Sequence, residues 1–422
     1  MTNSILLDVI IIMGILNMLR MLVYLIGGDL YNLKQQIKNK RRSRGRKWHT
    51  PFVSVIVPAH NEESTITKCL KSLVESNYPK SKLEIIVVND GSTDSTAKLI
   101  RQFINENGDA FSIKLVNQKN AGKAAAFNRG TLKHSNGSII MCLDADSMVE
   151  KMSIRRAVQY FRDRRTVAVA SNVNIVEDRT LLSLIQRFEY LVAYMMKKAQ
   201  SQYNIEYIVG GIGSYYRRSI LDNVGHYDTN TVTEDMDLTL KFLTRGNKKH
   251  KIEFAYDAIV FTEPVATYKS LISQRFRLKY RSIQSIKKNQ SLLFKKSSQH
   301  SKVLTFFAIP YGLIYHFIFV LEPVFLGYIL YTSIRSENVS SVLFATLIIA
   351  IYLSINIWST KHLSILQKIR LTLYSPVIYF LMYVVYVVEY IALVLTVLRL
   401  PKISASLKEN FTVWKSAERT QP

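Results

Sequence analysis

Cysteine is scarce in this chain, where only Cys69 and Cys142 occur among 422 residues. Two cysteines without a local motif argue against a disulfide scaffold and against a zinc site. The eight histidines show no metal-ligand spacing either, so we interpret them as structural. Cys142 lies in the apolar run 139–143 and is predicted to be buried. These absences fit a domain in a reducing compartment such as the cytoplasm.

Acidic residues are also few, with 31 Asp and Glu against 56 Lys and Arg and a formal net charge of +25. No Asp or Glu lies between Glu263 and Glu322. The basic residues are concentrated at Lys34–Lys47 and Lys269–Lys302, each beside an apolar segment. Basic residues that flank apolar spans are typical of cytoplasmic anchors on anionic lipid. Since no recognised nucleic-acid motif accompanies the charge, we predict no nucleic-acid partner.

Hydrophobic residues make up 48% of the chain and the mean hydropathy is +0.07, between a soluble enzyme and a membrane bundle. Residues 5–27 are mostly apolar but include Asp8 and Arg20, and their length suits one membrane span. A signal peptide is the competing interpretation. We favour an anchor, because no small-residue cleavage site is clear and basic residues follow directly.

Apolar content rises again after Lys302, in the segments 303–334, 342–358 and 376–398. Three further spans would leave the basic tail outside, against the positive-inside tendency, unless 303–334 holds an interfacial helix or a second span. We therefore divide the chain into an anchor (1–30), a cytoplasmic folded domain (50–265), basic interfacial helices on the acceptor side (266–302), a membrane region of about three spans (303–400) and a tail (401–422).

Short apolar runs alternate with helical stretches over residues 51–265. The runs predict strands at 53–58, 84–88, 114–116, 139–143 and 167–170, and apolar residues at intervals of three or four predict a helix at 64–74. Strands separated by helices indicate an α/β domain with a mainly parallel sheet. Ligands of such domains bind beyond the carboxyl ends of the strands, where two acidic motifs fall.

The first acidic motif is Asn-Asp-Gly-Ser at 89–92, and the second places Asp144 and Asp146 two residues apart. Asp90 can accept hydrogen bonds from a base or a ribose, although a turn-forming Asp before a helix is the alternative. Asp144 and Asp146 suit Mg²⁺ or Mn²⁺, which prefer oxygen ligands and bridge diphosphates. A solvated acidic loop is the alternative for this pair.

Two further motifs are Thr-Glu-Asp at 233–235 and Gln-Arg-Phe-Arg-Leu at 274–278. In this order, the four motifs resemble those of processive, membrane-integrated family 2 glycosyltransferases. These include the cellulose, chitin, hyaluronan and poly-β-1,6-N-acetylglucosamine synthases, and the size and layout are most similar to the last group. The resemblance covers residues 50–335 by motif. It implies an α/β glycosyltransferase domain of the GT-A type inserted between transmembrane helices.

The resemblance also implies a role for each residue that binds the donor. Glu62 and Asp90 are expected to bind the nucleotide, usually uridine. Asp144 and Asp146 are expected to hold Mg²⁺ or Mn²⁺, with Asp146 as the main ligand and Asp144 nearer to the donor sugar or nucleotide. Lys123 is expected to add positive charge beside the donor.

Thr233, Glu234 and Asp235 resemble the catalytic Thr-Glu-Asp of the family. An inverting transfer needs a base that takes the proton of the acceptor hydroxyl, and Asp235 is the implied base. Glu234 and Asp237 are expected to shape its surroundings. An ordinary helix start capped by Thr233 is the alternative, and both interpretations can hold together.

The last motif departs from the family pattern, because Leu278 stands where Gln-x-x-Arg-Trp has the aromatic residue. Arg277 is the implied ligand of the departing diphosphate. Gln274, Arg275 and Gly211 of the glycine-rich segment 209–214 are expected to bind the acceptor. A basic interfacial helix on lipid is the alternative for the arginines.

The sequence therefore predicts a membrane-bound inverting β-glycosyltransferase that polymerises a UDP-sugar, first of all UDP-N-acetylglucosamine, into exported poly-N-acetylglucosamine. The expected location is the cell membrane, multi-pass, with a cytoplasmic catalytic domain. The expected partners are the donor, the growing polysaccharide, membrane lipids and a small accessory membrane protein. Leu278 keeps open a non-processive enzyme that glycosylates a membrane lipid. A non-catalytic membrane sugar-nucleotide sensor is the second alternative, and it would tolerate loss of Asp235.

Overall fold

The computed structural model describes residues 2–43, 47–176, 180–206, 208–229, 234–246, 249–295, 302–318, 322–360 and 363–406. Thr233 and most of the predicted tail lie outside these residues. The strands are β1 (Val53–Ala59), β2 (Leu83–Asp90), β3 (Ser112–Gln118), β4 (Ile139–Cys142), β5 (Ser147–Val149), β6 (Thr166–Ile175), β7 (Ser214–Arg217) and β8 (Lys251–Thr262).

The α-helices are α1 (Thr2–Ser43), α2 (Ile66–Val74), α3 (Thr96–Asn107), α4 (Lys123–His134), α5 (Ser153–Ala157), α6 (Leu181–Tyr203), α7 (Arg218–Val224), α8 (Glu234–Arg245), α9 (Tyr268–Lys288), α10 (Ile309–Ile318), α11 (Glu322–Arg335), α12 (Ser340–Ser359) and α13 (Ile365–Ser406). A π-helical turn at Leu304–Ala308 leads into α10. The long α9 covers most of the segment predicted to form basic interfacial helices.

The described strands form one sheet in the order β3-β2-β1-β4-β7-β6-β8-β5. β1 pairs in parallel with β2 and β4, β2 with β3, and β6 with β8. β7 runs antiparallel to β4 and β6, and β5 runs antiparallel to β8. All five predicted strands are present. The prediction of a mainly parallel sheet holds for β1–β4 but needs correction for the other half, because β5 and β7 make the sheet mixed.

The first two strands are buried along their whole length. Val55 and Val57 pack into a core on one face of the sheet, whereas Ile56 and Ile86 pack into a second core on the other face. Successive side chains of a strand point to opposite faces, so both faces need apolar residues when helices cover both. This is why the sequence of these strands is an almost continuous apolar run.

One edge of the sheet collects the segments that carry the predicted site. The carboxyl ends of β1, β2 and β4 lie at this edge because the three strands are parallel. The start of the antiparallel β7 lies there too, since Ser214 pairs with Cys142. The glycine-rich segment before β7 is therefore beside the residues that follow β4.

Among the described residues, two C-terminal helices contain segments long and apolar enough to cross a membrane, Val342–Ser359 in α12 and Phe380–Leu398 in α13. α1 runs unbroken from the predicted anchor into the first basic cluster. It packs against α6, and at this contact Gly27 lies against Ala199 and Tyr203. The predicted number of spans stays a prediction.

Candidate functional site

Lys123 lies at the centre of a charged cluster, at the edge of the sheet where the carboxyl ends of β1, β2 and β4 meet. It is the first residue of α4 and follows Gly122, whose φ of +90° suits glycine. Its Nζ is 2.6 Å from Asp144 Oδ1 and 3.8 Å from Glu234 Oε1. The three side chains are 18–20% exposed, so they remain accessible while water screens their charges only in part.

The charge of Lys123 is secured by its two partners. Burial alone would lower the pKa of Lys123, but the carboxylates of Asp144 and Glu234 outweigh it and raise the pKa well above its ordinary value. Lys123 is therefore positively charged at neutral pH. One cation between two carboxylates leaves a net negative charge, which suits a divalent cation.

Asp235 is held by two backbone amides. Gly211 N donates to Asp235 Oδ2 at 3.0 Å, and Met236 N donates to Oδ1 at 2.8 Å. The Thr239 hydroxyl donates to the Asp235 carbonyl at 2.9 Å and accepts from Val209 N at 3.0 Å. The glycine-rich segment and the first turn of α8 are thereby joined, which fixes the orientation of the Asp235 carboxylate.

Thr239 is a positioning residue that the sequence prediction missed. Its signal in the sequence is a hydroxyl residue one helical turn after Asp235, where the two side chains share a face. Such a hydroxyl usually bonds back to the carbonyl four residues earlier. The second bond, from Val209 N, depends on the fold and has no local signal.

Gly211 lies between Asp235, the residue expected to act as the base, and the charged cluster around Lys123. A Cβ built at this position would lie 3.0 Å from Lys123 Nζ and 3.7 Å from Asp235 Oδ2. The structure therefore brings together five predicted site residues: Lys123, Asp144, Gly211, Glu234 and Asp235. The absence of a side chain at Gly211 leaves space between the lysine and the aspartate.

Asp90 is fully buried and its carboxylate accepts three hydrogen bonds. Gln118 Nε2 donates at 2.7 Å, and the backbone amides of Ala121 and Gly122 donate at 2.9 Å each. Asp90 thus holds the loop that leads into Lys123. Its predicted contact with the nucleotide stays a prediction.

The carboxylates of Glu62, Asp144 and Asp146 are near enough to a buried thiol to affect it. Burial, followed by the carboxylates of Asp146, Asp144 and Glu62, raises the pKa of Cys69 well above its ordinary value. Asp146 is 5% exposed and accepts a hydrogen bond from Ser147 Oγ at 2.9 Å. The ends of β1 and β4 therefore place these three carboxylates in one region.

No group of three or more His, Cys, Asp or Glu side chains forms a metal site by itself among the described residues. Asp144 and Asp146 supply two carboxylates after β4. Mg²⁺ is commonly held by one or two carboxylates together with substrate phosphates. The two aspartates therefore fit a cation whose coordination is completed by a diphosphate.

Arg275 forms ion pairs with two carboxylates from other helices. Its Nη2 is 2.7 Å from Glu189 Oε2 of α6, and its Nε is 3.3 Å from Glu389 Oε1 of α13. Gln274 and Arg277 are half-buried on the same helix. The predicted roles of Gln274 and Arg275 at the acceptor, and of Arg277 at the diphosphate, stay predictions.

Asp237 lies in the first turn of α8, like Asp235, but has different surroundings. It is fully buried, and its carboxylate accepts from Lys288 Nζ at 3.2 Å and from Asn289 Nδ2 at 3.1 Å. The described contacts of Asp237 therefore join α8 to the end of α9, whereas those of Asp235 join α8 to Gly211.

The chain is similar to known glycosyltransferases. Residues 54–225 match the family model described as "Glycosyl transferase family 2". The chain is 29% identical over 412 residues to the probable glycosyltransferase YdaM of Bacillus subtilis (strain 168), and this alignment covers 94% of each chain. It is 32% identical over 227 residues to a poly-beta-1,6-N-acetyl-D-glucosamine synthase of Staphylococcus aureus (strain COL), and this match spans 53% of each chain.

A solved structure with a similar fold is the mannosyltransferase PcManGT from Pyrobaculum calidifontis, in complex with GDP-Man and Mn²⁺. The TM-score is 0.54 at 19% identity, over 85% of this chain and 97% of that one. At this identity the match shows the fold alone, which is the GT-A-like fold expected from the sequence.

Proposed function

This chain is a family 2 glycosyltransferase, and from that premise we propose that it is a membrane-bound, inverting enzyme that builds a β-linked polysaccharide from a UDP-sugar. One observation carries the proposal. Asp235 is fixed by Gly211 N at 3.0 Å, and Gly211 also borders Lys123, which is paired with Asp144. A base and a charged site for a diphosphate therefore face the same small space.

Asp235 is the proposed base. Its carboxylate takes the proton of the acceptor hydroxyl while that oxygen attacks the anomeric carbon and the bond to the nucleotide diphosphate breaks. A single displacement of this kind inverts the configuration of the anomeric carbon. The two amides that hold Asp235 keep the carboxylate aimed at one place, which favours the reaction through orientation.

The other residues of the site act on the donor. Asp144 and Asp146 would hold Mg²⁺ or Mn²⁺, which supplies charge stabilisation for the leaving diphosphate. Lys123 contributes a permanent positive charge, and Glu234 helps to hold its ammonium group. We assign Glu62 and Asp90 to the nucleotide and Arg277 to the diphosphate.

We take UDP-N-acetylglucosamine as the donor and poly-N-acetylglucosamine as the product. The similarity to a poly-beta-1,6-N-acetyl-D-glucosamine synthase supports this choice. The apolar segments of α12 and α13 and the two basic clusters support a membrane location with the catalytic domain in the cytoplasm. The growing polysaccharide, membrane lipids and an accessory membrane protein belong to the same proposal.

Leu278 supports a second candidate function. It replaces the aromatic residue of the motif and is 45% exposed on α9. Phe276 and Tyr280 pack against each other, with ring centroids 5.7 Å apart, instead of replacing it at position 278. A site without an aromatic platform at this position suits a non-processive enzyme that transfers one sugar to a membrane lipid.

Product size separates the two functions. Membranes that contain wild type or Asp235→Asn are given radiolabelled UDP-N-acetylglucosamine with Mg²⁺, with Mn²⁺ or with EDTA. Long polymer that requires Asp235 and a divalent cation supports the synthase. Label in a single glycolipid would replace it with the second candidate. Equal incorporation by wild type and Asp235→Asn would refute the role of the base. If neither exceeded membranes that lack the protein, the non-catalytic sensor would be favoured.

A further inference from the structure

Four charged side chains meet where α6, α9 and α13 pack together, and we call them the α9 charge cluster. Arg275 pairs with Glu189 and Glu389 at 2.7 and 3.3 Å, and Lys279 Nζ is 2.6 Å from Glu389 Oε2. All four side chains are only 7–21% exposed. Two cations and two carboxylates balance in charge, as buried ionic groups must.

Glu389 occupies an unusual place for an acidic residue. It lies within Phe380–Leu398, the segment of α13 that is apolar and long enough to cross a membrane. An ionisable side chain in such a segment is costly in lipid and marks either function or pairing inside the protein. Here Glu389 contacts both cations of the α9 charge cluster. Beside it, Leu271 of α9 and Val388 of α13 belong to one apolar core.

The two faces of α9 carry different residues. Arg275 and Lys279 are four residues apart and share the face that meets Glu389. Arg277 follows Arg275 by two residues, and since each residue turns an α-helix by about 100°, it projects from a different face. Ion pairs on the first face fix the rotation of α9 about its axis and its position along that axis. They therefore also fix the position of Arg277.

The C-terminal end of α9 is fixed as well. Lys288 is paired with Asp237 at 3.2 Å and also contacts Asp228. Asp237 belongs to the first turn of α8, two residues after the proposed base. Charged contacts therefore connect α9 near its middle to an apolar helix and at its C-terminal end to the helix that carries Asp235.

We propose that the α9 charge cluster is a positioning site, in which Glu389 of α13 holds α9 so that Arg277 meets the leaving diphosphate. The proposal rests on the proposed function, because it uses the assignment of Arg277 to the diphosphate. Glu189, Arg275, Lys279 and Glu389 act through Arg277, so they are positioning residues. Arg275 then contributes to the geometry of the site through its ion pairs, as an alternative to binding the acceptor.

A kinetic cycle tests the coupling to Arg277. Glu389→Gln is compared with Glu337→Gln, a matched change at an exposed glutamate between α11 and α12. Each is made with Arg277 present and in the Arg277→Ala background, and kcat and the KM for the UDP-sugar are measured. We expect Glu389→Gln to lower kcat about tenfold, with a smaller change in KM, because a small displacement of a phosphate ligand is costly in the transition state.

In the Arg277→Ala background, the same change should lower kcat by less than about twofold, because residues that act through one group are not additive. An equal loss in both backgrounds would overturn the proposal, since a purely structural effect multiplies with the loss of Arg277. A kcat equal to that of Glu337→Gln would also overturn it.

Backbone hydrogen exchange provides a readout that needs no substrate. We expect the amides of α9 around residues 274–281 to exchange faster in Glu389→Gln than in Glu337→Gln. Unchanged exchange would show that Glu389 does not hold α9 and would overturn the proposal. If wild type and Asp235→Asn have the same activity with every donor, the proposed function fails. The exchange result would still decide whether Glu389 holds α9.

Discussion

Two charged clusters in this molecule use the same kinds of side chain in different surroundings. In the site cluster, Lys123 lies between Asp144 and Glu234. In the α9 charge cluster, Arg275 lies between Glu189 and Glu389. The exposed fractions overlap, at 18–20% in the first and 7–21% in the second. Burial and residue type therefore do not distinguish a reactive cluster from a positioning cluster.

The neighbouring backbone does distinguish them. The site cluster borders Gly211 at the edge of the sheet, where the glycine places no side chain of its own next to Lys123. The α9 charge cluster lies at a junction of three helices, beside apolar side chains such as Leu271 and Val388. We therefore propose that a substrate approaches the first arrangement, whereas the second transmits position.

Asp235 and Asp237 lie in one helical turn and show the same contrast between a proposed reactive role and a positioning role. Asn substitutions should separate the two roles. Asp235→Asn removes the proposed base, so we expect activity to fall by about 10²- to 10⁴-fold while the thermal unfolding midpoint is retained. Asp237→Asn weakens a buried pair with Lys288, so we expect the free energy of unfolding to fall on the order of 3 kcal/mol. Turnover and thermal unfolding of the purified proteins measure both effects.

Asp109→Asn is the matched control, because Asp109 is exposed after α3. It should change neither turnover nor the unfolding midpoint. If Asp237→Asn instead abolished turnover without lowering the unfolding midpoint, the division between a reactive and an anchoring aspartate would be wrong.

Lys123→Met should produce the next largest effect. It leaves the carboxylates of Asp144 and Glu234 without their shared cation and removes a positive charge from the diphosphate site. We expect kcat to fall about 10²- to 10³-fold, as for the loss of a preorganised electrostatic contact. Lys123→Arg keeps the charge and should recover part of the activity. A Lys123→Met enzyme with wild-type kcat would remove Lys123 from the reaction.

The pH profile gives a second measure of Lys123. Its pKa is raised by Asp144 and Glu234 against the effect of burial, so its stabilising charge is present below the ordinary lysine pKa and is lost only above it. Wild type should therefore lose no activity through Lys123 up to about pH 10. The kcat of wild type and Lys123→Met, measured from pH 6 to about pH 10, checks this expectation.

The sequence predicted the first half of the sheet better than the second. β1 and β2 are buried on both faces and therefore have continuous apolar sequences. β8 was missed, although charged and apolar residues alternate from Lys251 to Phe254 in the period of a strand. β7 has four residues, and its antiparallel direction follows from its pairing with β4 and β6, which no local pattern encodes.

The candidate site follows the same division. The residues that gather around Lys123 are motif residues at strand ends and at one helix start, so topology alone brings them together. The partners of Arg275 have no such signal. Glu389 is more than a hundred positions away in sequence, and its contact with α9 exists because apolar surfaces of three helices pack together.

Gly211→Ala should produce the smallest effect. It tests the space beside Gly211, which is the feature that distinguishes the site cluster from the α9 charge cluster. The new Cβ would lie 3.0 Å from Lys123 Nζ, the mobile end of a flexible side chain, so the lysine can shift while the fold remains intact. We expect kcat/KM to fall about tenfold, and the free energy of unfolding to change by less than about 0.5 kcal/mol.

Gly210→Ala is the matched control for this substitution, because a Cβ at Gly210 would meet no atom within 4 Å. It should retain wild-type kinetics. If both alanines lowered kcat/KM equally, the loss would reflect a stiffer loop, and the space beside Lys123 and Asp235 would have no specific role. A loss confined to Gly211→Ala would instead show that the reaction needs the space beside Lys123 and Asp235, because only there does the added methyl group displace Lys123.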